Sequence, residues 1–323
     1  MQPKAMSHPT KSEFINRRRF VFSTAAFVAA ATCLRGGLLH ADEAVPAKTV
    51  GTSSISNQRY KIAVCDWMIL KRQKLGAFQL TKDIGADGVE VDMGSLGKLE
   101  TFDSAITTNS VVRQQFLDKA RELNLEISSL AMSGFYAQSF AERPTVPHMT
   151  QDCIDTMKLM NVKVAFLPLG VLSDLVKHPE LRSNVVERLK AVGKQAEKSG
   201  VIIGVETELA AAEQVKLLDE IGSPAIKIYY NFANAIQNNR DLIAELRTLG
   251  KDRICQIHCT DQDGVWLQDD PKIDMPKVKQ TLDEMGWSGW LVMERSRKAS
   301  DSRNVKGNFG ANTTYLKKIF QSP

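Results

Sequence analysis

The stretch RICQIHCTDQDG, Arg253–Gly264, decides how the rest of the chain is read. Its opening residues alternate with period two, so Gln256 and His258 fall on one face of an extended segment and Cys255, Ile257 and Cys259 on the other. An Asp-Gln-Asp-Gly turn follows at once. A polar histidine at the carboxyl end of a short apolar strand, with acids in the next loop, is where a barrel of parallel strands and helices places its chemistry.

Working outward, seven more short apolar runs read as strands. On the amino-terminal side lie Lys61–Cys65 (KIAVC), Gly88–Asp92 (GVEVD), Glu126–Ala131 (EISSLA) and Val162–Pro168 (VKVAFLP). Val201–Glu206 (VIIGVE), Ala225–Tyr230 (AIKIYY) and Trp290–Glu294 (WLVME) complete the set. Amphipathic segments separate them. Ser183-Asn184 is expected to cap a helix carried by Val185, Leu189, Val192 and Ala196 and stopped by Gly200. Ser110 opens another through Val112, Phe116 and Leu123, while Phe78–Ile84 ends at Gly85 and Met275–Met285 at Gly286. Such alternation over about 260 residues predicts an α/β fold, a single (β/α)8 TIM barrel spanning residues 59–320. The competing arrangement, a doubly wound open sheet, lacks its Gly-rich dinucleotide turn after the first strand.

The first 41 residues read as an export signal. Asn16-Arg17-Arg18-Arg19-Phe20-Val21 precedes an apolar, Ala-rich run from Val21 to Leu34, with small residues near Ala41. The paired arginines resemble the twin-arginine type, which implies a periplasmic protein. The run is too short for a transmembrane span of about 20 residues, so stable membrane insertion is not expected. Residues 42–58, rich in Ala, Thr, Ser and Pro, read as a flexible linker. Lys4, Lys11, Arg17, Arg18, Arg19 and Arg35 face only Glu13 in the signal, so the net charge of +5 resides there and the remainder is neutral. Bulk charge therefore gives no support to nucleic acid or an anionic membrane as partner. Beyond Cys33, the cysteines at 65, 153, 255 and 259 have neither disulfide-framework nor zinc-ribbon spacing and read as buried free thiols.

Strand parity puts Ile202, Gly204 and Glu206 on one face, Lys227, Tyr229 and Asn231 on another strand's face, and Val292 with Glu294 on a third. Each series ends in a polar oxygen after an apolar run. An unpaired carboxylate in a barrel mouth is costly unless a cation or hydrogen bonds offset it. Glu206, Asn231, His258 and Glu294 are thus expected to meet around one divalent metal ion, Mn, Mg, Co or Zn. Singly, each has a plainer reading: a salt-bridge partner, a turn residue, a rim histidine. Their conjunction on strands five to eight carries the expectation.

From about Tyr60 to Phe320 the chain resembles the xylose-isomerase-like barrels, the sugar phosphate isomerase/epimerase superfamily. The matching pieces are GVEVD at 88–92, GVETEL at 204–209, IYYNFANA at 228–235, IHCTDQDG at 257–264 and GWLVMER at 289–295. Members similar to ketose 3-epimerases bind one divalent ion through Glu, Asp, His and Glu, which correspond here to Glu206, Asn231, His258 and Glu294. Asn231 departs from the usual Asp and implies a weakened ion site. Thr260 stands where a Lys is usual, and Val265-Trp266-Leu267-Gln268 replaces a Gly-rich loop.

The resemblance implies an isomerase or epimerase that moves a proton next to the carbonyl of a sugar, with Glu206 and Glu294 as the paired catalytic acid and base; the expected export and the lack of a phosphate-gripping Gly-rich loop point to an unphosphorylated sugar. Glu90, inward on the second strand, Arg295 and Trp266 are the expected substrate-binding residues. Plainer roles compete: rim salt bridges for Glu90 and Arg295, a core cap for Trp266. Long connections at Met93–Asn109 and Met132–Val146 are expected to cover the substrate, and Phe135, Tyr136 and Phe140 either wall the sugar or pack on the rim. Rival functions are a dehydratase or keto-glycoside lyase on the same site and a non-catalytic sugar-binding barrel. A DNA-repair endonuclease of the same barrel type fits less well, with only His148, His178 and His258 for its metal cluster. Homo-oligomerisation is left open.

Overall fold

In the computed structural model, residues 58–96 and 98–322 are described. The expected strands form: β1 (Tyr60–Cys65), β2 (Gly88–Asp92), β3 (Glu126–Ala131), β4 (Val164–Pro168), β5 (Ile202–Glu206), β6 (Ile226–Asn231), β7 (Ile254–His258) and β8 (Gly289–Met293). All pair in parallel in sequence order, and β1 closes on β8 through pairs such as Ile62 with Leu291. The export-signal and linker expectations, residues 1–57, lie outside the described residues. No helix among the described residues is long and apolar enough to cross a membrane.

Two faces of each strand give two cores. Outward residues such as Ile62, Val64, Val89, Val91, Ile203, Val205, Ile257 and Leu291 pack under the helices in one continuous cluster. Inward residues Ala63, Cys65, Ala131, Phe166, Tyr229 and Val292 fill the barrel. Gly204 makes room for this interior: a Cβ there would lie 2.5 Å from Cys255 Sγ and 3.1 Å from Tyr229 Cβ. Phe166 and Tyr229 meet edge-on at 4.9 Å and both touch the His258 ring, at 4.8 and 4.6 Å, forming an aromatic floor beneath the mouth.

Two local expectations are corrected. Cys255 does not share a face with Ile257 and Cys259. The β6–β7 register jumps from Ile228–Ile254 to Tyr229–Gln256, leaving Cys255 as the extra residue of a bulge that turns it toward the interior cluster, while Cys259 packs outward. Ser183 and Asn184 lie inside the first turn of helix Arg182–Ser199, which follows a 3-10 turn at Pro179–Leu181 and so needs no side-chain cap. Cys65, a buried free thiol as expected, also has a polar neighbour: its thiol donates to Glu90 Oε1 at 3.4 Å. The expected glycine stops do form: Gly85, Gly200 and Gly286 end their helices at φ of 87°, 65° and 71°.

The long β2 and β3 connections run over the carboxyl end. Phe135 and Phe140 are fully buried and meet edge-on at 5.6 Å, which pins the second loop and leaves Tyr136 to reach into the mouth.

Candidate active site

Strand register carries Glu206, Asn231 and His258 to one depth: Asn231 pairs with His258, and both end their strands. Glu294 follows β8 directly. The side chains converge. His258 Nδ1 lies 3.1 Å from Glu206 Oε2 and 4.0 Å from Glu294 Oε2. Asn231 Nδ2 donates to the same two carboxylates, 2.8 Å to Glu206 Oε2 and 3.3 Å to Glu294 Oε2. All four residues are at most 6% exposed.

Tyr136 completes the arrangement, and sequence reasoning had grouped it with two phenylalanines. Its hydroxyl is 3.0 Å from Glu206 Oε1 and 3.3 Å from Glu294 Oε1. The two carboxylates are therefore bridged on one pair of oxygens by an amide with two N–H groups, while on the other pair the single phenol proton serves one carboxylate at a time. The available signal was chemical: of the three loop aromatics, only tyrosine carries a hydrogen-bonding tip.

Beneath lies a second polar layer. Glu90 is fully buried and accepts hydrogen bonds from Ser129 Oγ (2.5 Å), Tyr229 Oη (2.8 Å) and the far nitrogen of His258 (3.1 Å). It supports the histidine and offers no surface to a substrate, contrary to the sequence expectation, because it stands mid-strand rather than at the end of β2. Burial alone would favour a neutral imidazole. Hydrogen bonds to Glu206 and Glu90, with the charges of Glu90 and Glu294, override it and push the His258 pKa up to about 10. Burial would likewise raise Glu90, but bonding to His258, Ser129 and Tyr229 holds it below the ordinary glutamate value. Glu294 is raised, first by burial, with Glu206 adding repulsion and His258 opposing.

Of the expected substrate contacts, Arg295 lines the mouth and Trp266 does not border the cavities beside Tyr136. The Trp266 indole donates to Asn308 Oδ1 at 2.8 Å and lies under Lys298 Nζ at 5.2 Å, so it ties the carboxyl-terminal helix to its loop. Thr260 Oγ1 accepts the backbone N–H groups of Glu294 (3.2 Å) and Arg295 (2.9 Å), fixing both against β7. His148 and His178 are exposed and bond to nearby Asp152 and Glu180, apart from the enclosed His258, so they form no endonuclease-like cluster with it.

The donor chemistry suits a divalent ion in part. Two carboxylates and an imidazole whose far nitrogen is held by a carboxylate make a recurrent metal-binding combination. Asn231 does not add an oxygen to it. Its Oδ1 accepts from Ala233 N at 2.9 Å, capping helix Phe232–Gln237, and its Nδ2 is thereby turned toward the carboxylates. A second trio, Cys65, Glu90 and His258, brings donor atoms within 4.8 Å of one another. There, burial pushes the thiol well up and Glu90 is already engaged by its donors, so this trio reads as hydrogen-bonded packing.

Tyr136 stands between two cavities. One of 120 Å³ leads to Glu206, Thr207 and Asp174. The other, 640 Å³, has Trp67, Arg72, Glu294 and Arg295 in its lining.

The sequence model of the xylose isomerase-like TIM barrel family matches residues 78–318. The chain belongs to this family. A 2-epi-5-epi-valiolone 7-phosphate 2-epimerase from Actinoplanes sp. is 23% identical over 209 residues, 62% of this chain and 72% of that protein. Among solved structures, D-psicose 3-epimerase from Clostridium cellulolyticum H10, with D-tagatose, superposes with a TM-score of 0.64 at 13% identity, over 80% of this chain and 99% of that one. The 3-keto-D-glucoside 4-epimerase from E. coli gives 0.63 at 14% identity, over 80% and 99%. Identities this low establish the shared barrel.

Proposed function

We propose that this family member is a sugar isomerase or epimerase that moves a proton on the carbon next to a carbonyl. The observation that carries the reading is the pair of buried carboxylates, Glu206 and Glu294, brought together across the barrel mouth from the carboxyl ends of β5 and β8 and tied by Asn231 and Tyr136. The epimerase names of the relatives support it.

One carboxylate takes the proton α to the carbonyl. The other returns a proton to the opposite face of that carbon, or to the former carbonyl carbon. Asn231 and Tyr136 hold both groups in place. His258, fixed from below by Glu90, keeps Glu206 oriented. Glu206, Glu294 and His258 would hold a divalent ion, which when bound supplies Lewis-acid polarisation of the carbonyl. The signal-like residues 1–41 support a periplasmic location, which fits an unphosphorylated substrate.

The test is hydrogen exchange in heavy water with ketoses and keto-glycosides, read by mass spectrometry and NMR. Wild-type protein is expected to incorporate deuterium next to the carbonyl. Glu206→Gln and Glu294→Gln should each lose about 10²–10⁴-fold of that rate. An elimination product would make the protein a lyase, and binding without exchange would make it a carbohydrate-binding barrel.

A further inference from the structure

The larger cavity beside Tyr136 has the volume of a small-molecule site, 640 Å³. Tyr136, Trp67, Arg72, Glu294 and Arg295 are among the residues that line it. The Trp67 ring stacks on Phe166 at 6.3 Å and 17°, so a flat aromatic face is fixed in its wall.

Two of the cations in and around this cavity are paired. Arg72 Nε lies 3.2 Å from Asp92 Oδ2, and Lys177, which lines the smaller cavity, lies 2.7 Å from Asp174 Oδ2. Among the described residues, the Arg295 guanidinium has no ion pair or hydrogen bond; only its backbone N–H is engaged, by Thr260 Oγ1. Its position is nonetheless held. The next residue, Ser296, is buried at φ 64°, with its Oγ accepting from Asp261 N at 3.1 Å and its carbonyl accepting from Asn312 Nδ2 at 2.8 Å. An exposed arginine, fixed at its backbone and lining a cavity, has the planar fork that takes an oxyanion in two parallel hydrogen bonds.

We propose that the substrate is a sugar acid: a keto sugar whose carboxylate docks on Arg295, whose carbon skeleton lies along Trp67, and whose reacting carbon reaches Glu294. The assignment rests on the proton-transfer reading above and adds the substrate's charge. A carboxylate is favoured over a phosphate ester because Glu294, already repelled by Glu206, shares the cavity with Arg295, so a monoanion meets less repulsion there than a dianion.

Calorimetric titration of the full chain with a hexuronate, the corresponding neutral hexose and its 6-phosphate tests the assignment without requiring turnover. The hexuronate is expected to bind about 10- to 100-fold more tightly than the hexose, the range of a hydrogen bond to a charged group. Arg295→Ala should collapse that ratio, and Arg295→Lys should restore part of it. Equal binding of hexuronate and hexose, a ratio that survives Arg295→Ala, or tighter binding of the phosphate ester would each overturn the proposal. Hydrogen exchange reads the proton-transfer reaction separately, so a failure of the reaction and a failure of the charge assignment are told apart.

Discussion

Asn231→Asp is the substitution that most directly interrogates the site. The amide gives two hydrogen bonds to carboxylates, 2.8 Å to Glu206 and 3.3 Å to Glu294. An aspartate removes both donors and sets a third negative charge between the other two. Hydrogen bonds to charged groups contribute about 1.5–3 kcal/mol each, so the loss is about 3–6 kcal/mol before repulsion is counted. At about 2–4 °C per kcal/mol for a domain of this size, the melting temperature in chelator should fall by about 6–24 °C. The helix cap is not a confounder, because Asp caps as well as Asn and can still accept from Ala233 N. Added Mn²⁺ should return about 2.7 kcal/mol at 100 times its Kd, and it should stabilise the variant more than the wild type, whose Asn231 oxygen is committed to the cap. Differential scanning calorimetry with chelator and with Mn²⁺ reads both arms. A variant as stable as wild type in chelator would refute the bridging role of the amide, and equal stabilisation of both proteins by Mn²⁺ would refute the orientation assigned to it.

Two further expectations concern the phenol and the buried acids. Tyr136→Phe removes a hydroxyl shared by Glu206 and Glu294 while leaving the ring against Phe166, so kcat/KM should fall about 10- to 100-fold with an unchanged circular dichroism spectrum; unaltered kinetics would remove the phenol from the mechanism. Asp66 is fully buried, its Oδ1 lacks a hydrogen-bond partner among the described residues, and burial followed by the Asp92 charge holds its pKa well above the usual aspartate range. A raised folded-state pKa contributes stability below the ordinary aspartate range and loses it as pH climbs through the raised value. Asp66→Asn should therefore be more stable than wild type at neutral pH by about 1–3 kcal/mol, with the gap closing toward acid pH; urea titrations at several pH values check the sign.

The barrel was legible because each strand is a short apolar run and each helix an amphipathic one, and those periods survive any tertiary context. The convergence of Glu206, Asn231, His258 and Glu294 followed from the same parity, since the ends of parallel strands in a closed barrel share one rim. Residue type and parity did not reveal depth. Glu90 faces inward as parity requires, yet in the middle of β2 it supports the histidine instead of meeting a ligand. Partner register was equally hidden: nothing in RICQIH announces the bulge that separates Cys255 from Cys259, because the bulge is a property of the β6–β7 pair. Tyr136 escaped because a loop's direction is set by what anchors it, here the burial of Phe135 and Phe140. The orientation of Asn231 depended on a helix starting immediately after it, so that one oxygen was spent on Ala233.

Cys65, Cys153 and Cys259 are wholly enclosed, and burial drives their thiols far above the range in which a thiolate forms. An alkylating reagent can reach such sulfurs only while the surrounding shell is open. The speed of their labelling under native conditions is therefore a clock for breathing of the barrel, and Cys65, in contact with Glu90 and near the His258 ring, sets that clock beside the proposed chemistry. A ligand that settles at the mouth should slow labelling at position 65 more than at 153, which turns an inert set of sulfur atoms into built-in reporters of occupancy.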